Sequence, residues 1–275
     1  MGLATVLGLA RRGFFIPHRY AADTSAAGER PDYAAIAELF VAHRDTFAAV
    51  LDTIDSFAED LLKIGAAPAP GPRWTQDWFP RLDAACAYSL VRARAPKRIV
   101  EVGAGHSTRF AARAVRDGGI KTEHVAIDPA PRASLDSLPL TLVRKTVQSV
   151  GMDVFAALEA GDFLMIDSSH ILMPGTDVDL LLGRVLPALP AGVLVHVHDI
   201  FLPGDYPPDW AWRGYNEQLG VAALLHGGAF EPVFPSAFVT RALTERIATS
   251  VIARLPLPGG AFESSLWMRK VVPPR

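Results

Sequence analysis

The segment 100–109, which reads VEVGAGHSTR, constrains the fold of this chain more than any other segment. The short, β-branched apolar run that leads into it predicts a buried parallel strand. Gly103 and Gly105 predict a sharp turn whose backbone a ligand can approach closely. Ser107 and Thr108 suit the cap of a following helix, whose free N–H groups face the turn. The segment therefore predicts a strand, a glycine turn and a helix, the first unit of a doubly wound α/β sheet.

Two acidic residues make the glycine turn a candidate ligand site. Glu101 lies at the end of the first predicted strand, and Asp128 ends the second, at 124–128. In doubly wound sheets an acid in the position of Asp128 binds a ribose diol. A bare G-x-G turn also closes strand–helix units that bind nothing. Thr108 stands where a dinucleotide site has its third glycine, which disfavours NAD and favours a nucleoside without pyrophosphate.

Acidic residues also end two further predicted strands, at 163–167 and 193–198. Because ligands of open α/β sheets bind outside the carboxyl ends of the strands, Asp167 and Asp199 are both predicted at the mouth of the site. His170 follows in the loop after Asp167, and its ordinary pKa suits a general base. The alternatives are that Asp167 only caps its loop and that His196, inside the second of these strands, is a core histidine.

These motifs resemble those of class I S-adenosylmethionine-dependent methyltransferases. The EVGAG sequence at 101–105, followed by Asp128, resembles their first two motifs. The sequences GDFLMIDSSH at 161–170 and VHVHDI at 195–200 resemble a bacterial subgroup that acts on small molecules, the methyltransferase-24-like proteins. The resemblance covers roughly residues 74–270. It implies a Rossmann-like α/β fold with a seven-stranded, mostly parallel sheet whose last strand is antiparallel, and S-adenosylmethionine as the cofactor.

The resemblance also implies which residues bind that cofactor. They belong to the glycine turn, to the ends of the second and fourth strands and to the turn after the third strand, where this fold contacts the adenine. These residues are Glu101, Gly103, Ala104, Gly105, Ser107, Thr108, Asp128, Gln148 and Asp167.

The mouth resembles that of catechol-type O-methyltransferases, in which Asp167, His170 and Asp199 have counterparts that bind a metal or act as a base. The resemblance implies these three residues as catalytic, and Mg²⁺ or another divalent cation at Asp167 and Asp199. Ile200 stands where those enzymes have a third ligand, so only two protein carboxylates remain. His198 is a further candidate ligand for a softer metal, although on a strand it would face away from Asp199.

The implied reaction is an in-line methyl transfer to a small-molecule acceptor, with a hydroxyl as the expected target and a sugar or a secondary metabolite as the acceptor. Most of the rate is expected from the alignment of the reactants and from removal of the hydroxyl proton. Two alternatives are an NAD-type Rossmann oxidoreductase, which Thr108 disfavours, and a non-catalytic scaffold with the same fold. In a scaffold the acids and the histidine of the mouth would have no purpose.

A loop rich in aromatic residues follows the fifth strand. Trp210, Trp212 and Tyr215 crowd segment 201–216, whose prolines predict irregular structure. Loops of this kind beside a strand end bind a ligand or close over it, and stacking on a sugar or an aromatic ring is one expected use. Trp74 and Trp78, before the first strand, are expected either to cover the site or simply to pack.

The chain before residue 74 predicts an appendage. Residues 1–65 form a tail and a helical extension, 66–73 a proline-rich linker and 74–275 the methyltransferase domain. Apolar residues at helical spacing over 33–64 predict one or two helices whose stripe is core or partner surface, and a homodimer through these helices is one interpretation. The apolar residues 1–10, followed by Arg11 and Arg12, predict a tail that packs on the domain or an interfacial anchor.

Composition limits the classes of protein and partner. With 275 residues, 50% of them hydrophobic, the chain can bury one sizeable core. A net charge of −2 gives no reason to expect nucleic acid or an anionic membrane as a partner. The single Cys86 excludes an internal disulfide and fits a cytoplasmic protein. No stretch is expected to span a membrane.

Overall fold

The computed structural model of the protein describes residues 2–10, 12–65 and 67–274. Met1, Arg11, Ala66 and Arg275 lie outside the described residues. They include the first arginine after the predicted tail and the first residue of the predicted linker.

A seven-stranded sheet forms the centre of the protein. Its strands are β1 Arg98–Val102, β2 Glu123–Ile127, β3 Thr141–Val143, β4 Phe163–Ile166, β5 Leu194–Val197, β6 Phe230–Pro235 and β7 Leu266–Lys270. Their order is β3-β2-β1-β4-β5-β7-β6, and β7 runs antiparallel to both of its neighbours while the pairs among β1 to β5 are parallel. The predicted Rossmann-like sheet is confirmed. Since the order reverses between β1 and β4, the carboxyl ends of these strands flank the crevice that binds ligands in such sheets.

Helices cover both faces of the sheet. They are α1 Gly2–Val6, α2 Ala34–Ala42, α3 Arg44–Ser56, α4 Ala58–Leu62, α5 Arg81–Arg94, α6 His106–Gly118, α7 Asp153–Ala156, α8 Asp177–Leu180, α9 Leu186–Ala188, α10 Glu217–His226, α11 Ser236–Ala242 and α12 Thr244–Ala248. A π-helical segment, Leu181–Val185, joins α8 to α9. The central strands β4 and β5 are buried at every position, which is why they read as continuous apolar runs.

The N-terminal extension consists of three helices, α2 to α4, rather than the one or two predicted, because the chain leaves the helical conformation at His43 and Phe57. Its apolar stripe is part of the main core. Phe40 packs edge to face on Phe238, with ring centroids 5.4 Å apart. The stripe on which the homodimer prediction depended is therefore covered by the chain itself. Dimerisation stays a prediction.

The tail does not pack on the domain as predicted. Helix α1 buries none of its residues, and Leu3 is 76% exposed. The interfacial anchor stays a prediction. Across the described ranges, no helix combines the length and the apolar character that a membrane span requires.

Candidate active site

The glycine turn between β1 and α6 takes its shape from β4. Gly103 has a φ of +84°, and a Cβ atom there would lie 1.7 Å from the carbonyl oxygen of Asp167. The Asp167 amide in turn donates to the Val102 carbonyl at 2.8 Å. Around Gly105, a Cβ atom would meet no atom within 4 Å. The turn is therefore closed on the side of β4 and open at Gly105, where a ligand has room to approach.

Asp128 lies beside the open part of the turn, at the end of β2. Its Oδ2 atom accepts a hydrogen bond from the Ala104 amide at 2.8 Å, and its Oδ1 atom accepts one from the Ala130 amide at 2.7 Å. Each oxygen keeps a further lone pair, so the carboxylate can still accept from a diol. Gln148 is exposed in the 3₁₀ turn Val147–Ser149 after β3, and its contact with an adenine stays a prediction.

Three predicted cofactor ligands flank the turn, one in β1 and two in α6, and hold its shape. Glu101 is buried; its Oε1 atom accepts from the Ser107 hydroxyl at 2.5 Å, and its Oε2 atom lies 3.1 Å from Nε2 of His124. The Thr108 hydroxyl oxygen accepts from the Gly105 amide at 2.9 Å. Direct contacts of Glu101, Ser107 and Thr108 with a cofactor stay predictions. His124 was missed because it reads as one more residue of an apolar strand.

His170 lies at the centre of the mouth, with three carboxylates around its ring. Its Nε2 atom is 3.4 Å from Oδ1 of Asp167 and 3.5 Å from Oδ2 of Asp199, and its Nδ1 atom is 3.0 Å from Oε2 of Glu217. The structure thus brings together the three residues predicted as catalytic. It adds Glu217, the first residue of α10.

Backbone contacts hold this arrangement. His170 and Asp199 have φ values of 60° and 56°, in the left-handed region that non-glycine residues rarely adopt. The His170 carbonyl accepts from the amides of Asn216 and Glu217, at 3.1 and 3.3 Å. The start of α10 therefore fixes the loop that carries His170. Such backbone conformations persist where surrounding contacts enforce them, and they cluster at functional sites.

The carboxylates set the protonation state of the histidine. Burial alone would lower the pKa of His170, but its hydrogen bonds to Asp167 and Glu217 and the charge of Asp199 raise that pKa well above its ordinary value. The pKa of Asp167 falls to about 2, because the nearby histidines outweigh the effect of burial. Burial raises the pKa of Glu217. The raised pKa favours the imidazolium form of His170, whose ring nitrogens have no free lone pair. This form suits a residue that holds the carboxylates, and the neutral general base expected from the sequence stays a prediction.

His198 faces Asp199, contrary to the alternation expected along a strand. Its Nε2 atom lies 3.5 Å from Oδ1 of Asp199 and 2.8 Å from the carbonyl oxygen of Trp78. Strand β5 ends at Val197, and the left-handed conformation of Asp199 turns its side chain back toward His198. His196 is fully buried against Trp267, with ring centroids 4.9 Å apart, and is the core histidine of the alternative interpretation.

The predicted metal ligands do not fit a resident divalent cation. The Nε2 atom of His170 lies between Asp167 and Asp199, in the place that a shared ion would need, and its N–H faces both carboxylates. Within residues 2–10, 12–65 and 67–274, no group of three or more His, Cys, Asp or Glu side chains could hold a metal ion. His198 instead contacts Trp78. The positive charge between the two acids comes from the imidazolium.

An aromatic cluster adjoins His170. It consists of Phe201, Tyr206, Trp210, Tyr215 and Phe262. The Tyr215 ring centroid is 4.5 Å from that of His170. Part of the loop, predicted as irregular, forms the 3₁₀ helix Pro208–Arg213. Phe262 was missed because it lies far along the sequence, in the loop before β7.

Two N-terminal segments reach the site. The Gly28 amide and Nε of Arg30 both donate to Oδ2 of Asp205, at 3.0 and 2.7 Å, and so hold the aromatic loop. Trp78 lies at the rim, 6.0 Å from the His106 ring at the start of α6. Trp74, by contrast, is buried. The two tryptophans considered together in the sequence thus have different surroundings.

Comparison with known proteins now identifies the central segment. Residues 100–200 match the family model described as a methyltransferase domain. The chain is similar to methyltransferase domains over this segment. It runs from β1 to just beyond β5 and contains the glycine turn, Asp128 and the acids of the mouth. The prediction of a class I S-adenosylmethionine-dependent methyltransferase is confirmed, and the NAD-type alternative is set aside. No curated protein matches the chain.

Several solved structures resemble this methyltransferase. The SAH-bound methyltransferase PaMTH1 of Podospora anserina is 17% identical, with 95% of this chain and 100% of that chain covered and a TM-score of 0.43. An O-methyltransferase from Bacillus cereus in complex with SAH is 17% identical, with 79% and 91% covered and a TM-score of 0.38. The SAM-bound O-methyltransferase TomG of Streptomyces achromogenes is 13% identical, with 81% and 90% covered and a TM-score of 0.41. Similarity at this level does not identify the acceptor.

Proposed function

We propose that this methyltransferase transfers the methyl group of S-adenosylmethionine to a hydroxyl oxygen of a small-molecule acceptor, with sugars and secondary metabolites as the expected classes. One observation carries the proposal. Asp167 belongs to both halves of the site, because its carbonyl packs on Gly103 and its carboxylate contacts His170 at 3.4 Å. The turn that suits a nucleoside and the acid-lined mouth therefore adjoin at one residue, so the two reactants can be held side by side.

The cofactor half of the site binds and orients S-adenosylmethionine. When bound, S-adenosylmethionine supplies an electrophilic methyl group on a positively charged sulfur. Gly105 leaves room for a close approach to the backbone, and Asp128 offers its free lone pairs to the ribose hydroxyls. The acids of the mouth favour a positive charge beside them.

The acceptor half orients the hydroxyl. The side chain of Asp167 is 36% exposed, against 11% for Asp199 and 0% for Glu217, so Asp167 is the acid that an acceptor can reach. Its ionised carboxylate accepts the hydroxyl hydrogen and directs an oxygen lone pair at the methyl group. Asp167 would accept the proton that the hydroxyl loses on transfer and pass it to water, since its side chain is partly exposed. His170 and Asp199 act as positioning residues, because the imidazolium holds both carboxylates in place.

The proposal also includes three expectations from the sequence, which concern the domain limits, the cellular location and the oligomeric state. The limits 1–65, 66–73 and 74–275 are proposed for the extension, the linker and the catalytic domain. A cytoplasmic location is proposed from the chemistry of a chain with a single, buried Cys86. A homodimer through the N-terminal helices is proposed, with contacts on their exposed faces because the apolar stripe is buried.

Transfer of a labelled methyl group tests the proposal. The enzyme is incubated with methyl-labelled S-adenosylmethionine and matched panels of hydroxyl and amine acceptors, and the labelled atom is located by NMR. Asp167→Asn should lower the rate of transfer roughly 10²- to 10⁴-fold with little change in SAH affinity. Asp128→Asn should do the reverse, weakening SAH binding by about 1–3 kcal/mol.

Label on nitrogen alone would contradict the proposal, as would full activity of Asp167→Asn. SAH binding without transfer to any acceptor of either panel would support the non-catalytic scaffold instead.

A further inference from the structure

Arg213 is a cation whose guanidinium N–H groups make few hydrogen bonds within the protein. Its guanidinium carbon lies 3.9 Å from the ring centroid of Trp210 and 5.4 Å from that of Tyr215. Its Nη1 atom is 3.5 Å from the Tyr215 hydroxyl, at the limit of a hydrogen bond. Its Nε atom is buried and has no hydrogen-bond partner. In the part of the chain that the structure describes, no carboxylate lies within ion-pair distance of Arg213.

A guanidinium in this state is well prepared to bind an anion. It has five N–H donors in a planar fork, and a carboxylate can accept from two of them in parallel. Stacking on Trp210 fixes the plane of the fork and removes much of its rotational freedom before a ligand arrives. A buried N–H without an acceptor is unfavourable, and an incoming carboxylate would remove this cost.

The charges nearby decide where an anionic group of the acceptor can lie. Asp167, Asp199 and Glu217 surround His170, so a further anion in the mouth would be repelled. No ion pair joins Arg213 to these three acids. Its guanidinium carbon lies 5.4 Å from the ring centroid of Tyr215, the same ring that contacts His170. An acceptor with a carboxylate would therefore place this group on Arg213 and its hydroxyl at Asp167.

The aromatic surface between Arg213 and Asp167 suits a flat ring. The Tyr215 ring centroid lies 4.5 Å from that of His170 and 5.4 Å from the guanidinium carbon of Arg213. Trp210 lies 5.5 Å from Phe262, and Phe262 is partly open to solvent. Aromatic side chains in offset and edge-to-face contacts bind a further aromatic ring in the same way.

We propose that the acceptor is an aromatic hydroxy acid, with its ring on Tyr215 and Trp210, its carboxylate on Arg213 and its hydroxyl at Asp167. This inference rests on the proposed methyl transfer to oxygen and names the acceptor class of the same site. Arg213 is then a specificity-determining residue that takes no part in the chemical step.

The test compares two probes that differ in charge alone. Binding of 4-hydroxybenzoate and of its neutral isostere 4-hydroxybenzamide is measured by calorimetry on the full chain saturated with SAH. The wild type should bind the carboxylate about 10- to 100-fold more tightly than the amide, through charge-assisted hydrogen bonds. Equal affinities for the two probes would overturn the proposal.

Variants of Arg213 test whether this residue causes the preference for the carboxylate probe. Arg213→Gln should bind both probes equally, and Arg213→Lys should recover only part of the preference because it cannot form the bidentate contact. The control is Arg94→Gln, which changes an exposed arginine at the end of α5, beside the amino end of β1 and away from the mouth. It should keep the wild-type preference. A preference that survives in Arg213→Gln would overturn the assignment.

A second pair of variants tests the ring. Tyr215→Phe keeps the ring and should keep the affinity for both probes, whereas Tyr215→Leu should weaken both about 5- to 10-fold. Unchanged SAH affinity in every variant shows that the fold is intact. If 4-hydroxybenzoate binds through Arg213 but no oxygen is ever methylated, the proposed function fails and the binding site stands. If oxygens of neutral acceptors alone are methylated, only the acceptor class fails.

Discussion

The glycine turn and the acid-lined mouth lie on the two sides of Asp167, and they are built in different ways. The turn is held by backbone geometry, with Gly103 pressed on the Asp167 carbonyl and the Ala104 amide bound by Asp128. The mouth is held by charge, with three carboxylates around the imidazolium of His170. Sterics therefore govern the half that receives the cofactor, and protonation governs the half that receives the acceptor.

The two halves of the site should therefore respond differently to mutation and to pH. A steric arrangement is lost when a single atom is added, and it is insensitive to pH. A charged arrangement tolerates small changes of shape but weakens when one partner gains or loses a proton. Three measurements separate these behaviours.

The largest effect is expected from a methyl group in the turn. In Gly103→Ala the new Cβ would lie 1.7 Å from the Asp167 carbonyl oxygen, at a φ of +84°. Both strands must shift, so the free energy of unfolding should fall by more than about 3 kcal/mol in urea denaturation. Gly105→Ala is the matched control, because its Cβ meets nothing within 4 Å. It should change stability by less than about 1 kcal/mol and yet weaken SAH binding. Equal stability of the two variants would contradict the explanation that steric contact with the Asp167 carbonyl shapes the turn.

A smaller effect is expected from pH in the mouth. The raised pKa of His170 means that its contribution to stability is complete below its ordinary pKa, near 6.5, and is lost as pH rises through the folded-state value. The free energy of unfolding should therefore fall with rising pH above about 6.5, by at most about 1.4 kcal/mol per pH unit for one proton.

His170→Gln should reduce this slope without abolishing it, since the carboxylates also raise the pKa of His198 despite its burial. His226→Gln, at an exposed histidine, should leave the slope as it is in the wild type. A slope that is the same in His170→Gln would mean that the charge of His170 does not hold the mouth together.

The smallest effect is expected from metal ions. Because the N–H of His170 lies between Asp167 and Asp199, adding Mg²⁺ or Mn²⁺, or removing ions with EDTA, should shift the melting temperature of the SAH complex by less than about 1 °C. Thermal unfolding at several ion concentrations checks this. A shift that grows with ion concentration and disappears in Asp199→Asn would restore the two-carboxylate metal site and displace His170 from the mouth.

Much of the fold could be predicted, because its signals are local. The apolar run of β1, the glycines and the start of α6 lie within a few residues of one another, so neighbouring side chains and backbone conformation decide their structure. The meeting of Asp167 and Asp199 could also be predicted, since parallel neighbouring strands bring their carboxyl ends to one edge of the sheet.

The predictions that needed correction depend on backbone conformation and packing that a local pattern does not contain. His198 turns toward Asp199 because the backbone of Asp199 is left-handed, a conformation that strand alternation does not anticipate. The tail was expected to pack because it is apolar, yet helix α1 buries none of its residues.

The sequence by itself therefore determined the doubly wound sheet, the glycine turn and the candidate residues at the strand ends, because each follows from short-range pattern and the geometry of parallel strands. The tertiary structure alone decided the charge of His170, the presence of Glu217 beside it and the position of Arg213 on Trp210. The physical reason is that protonation and ion pairing depend on burial and on distances between atoms, and no pattern along the chain contains either quantity.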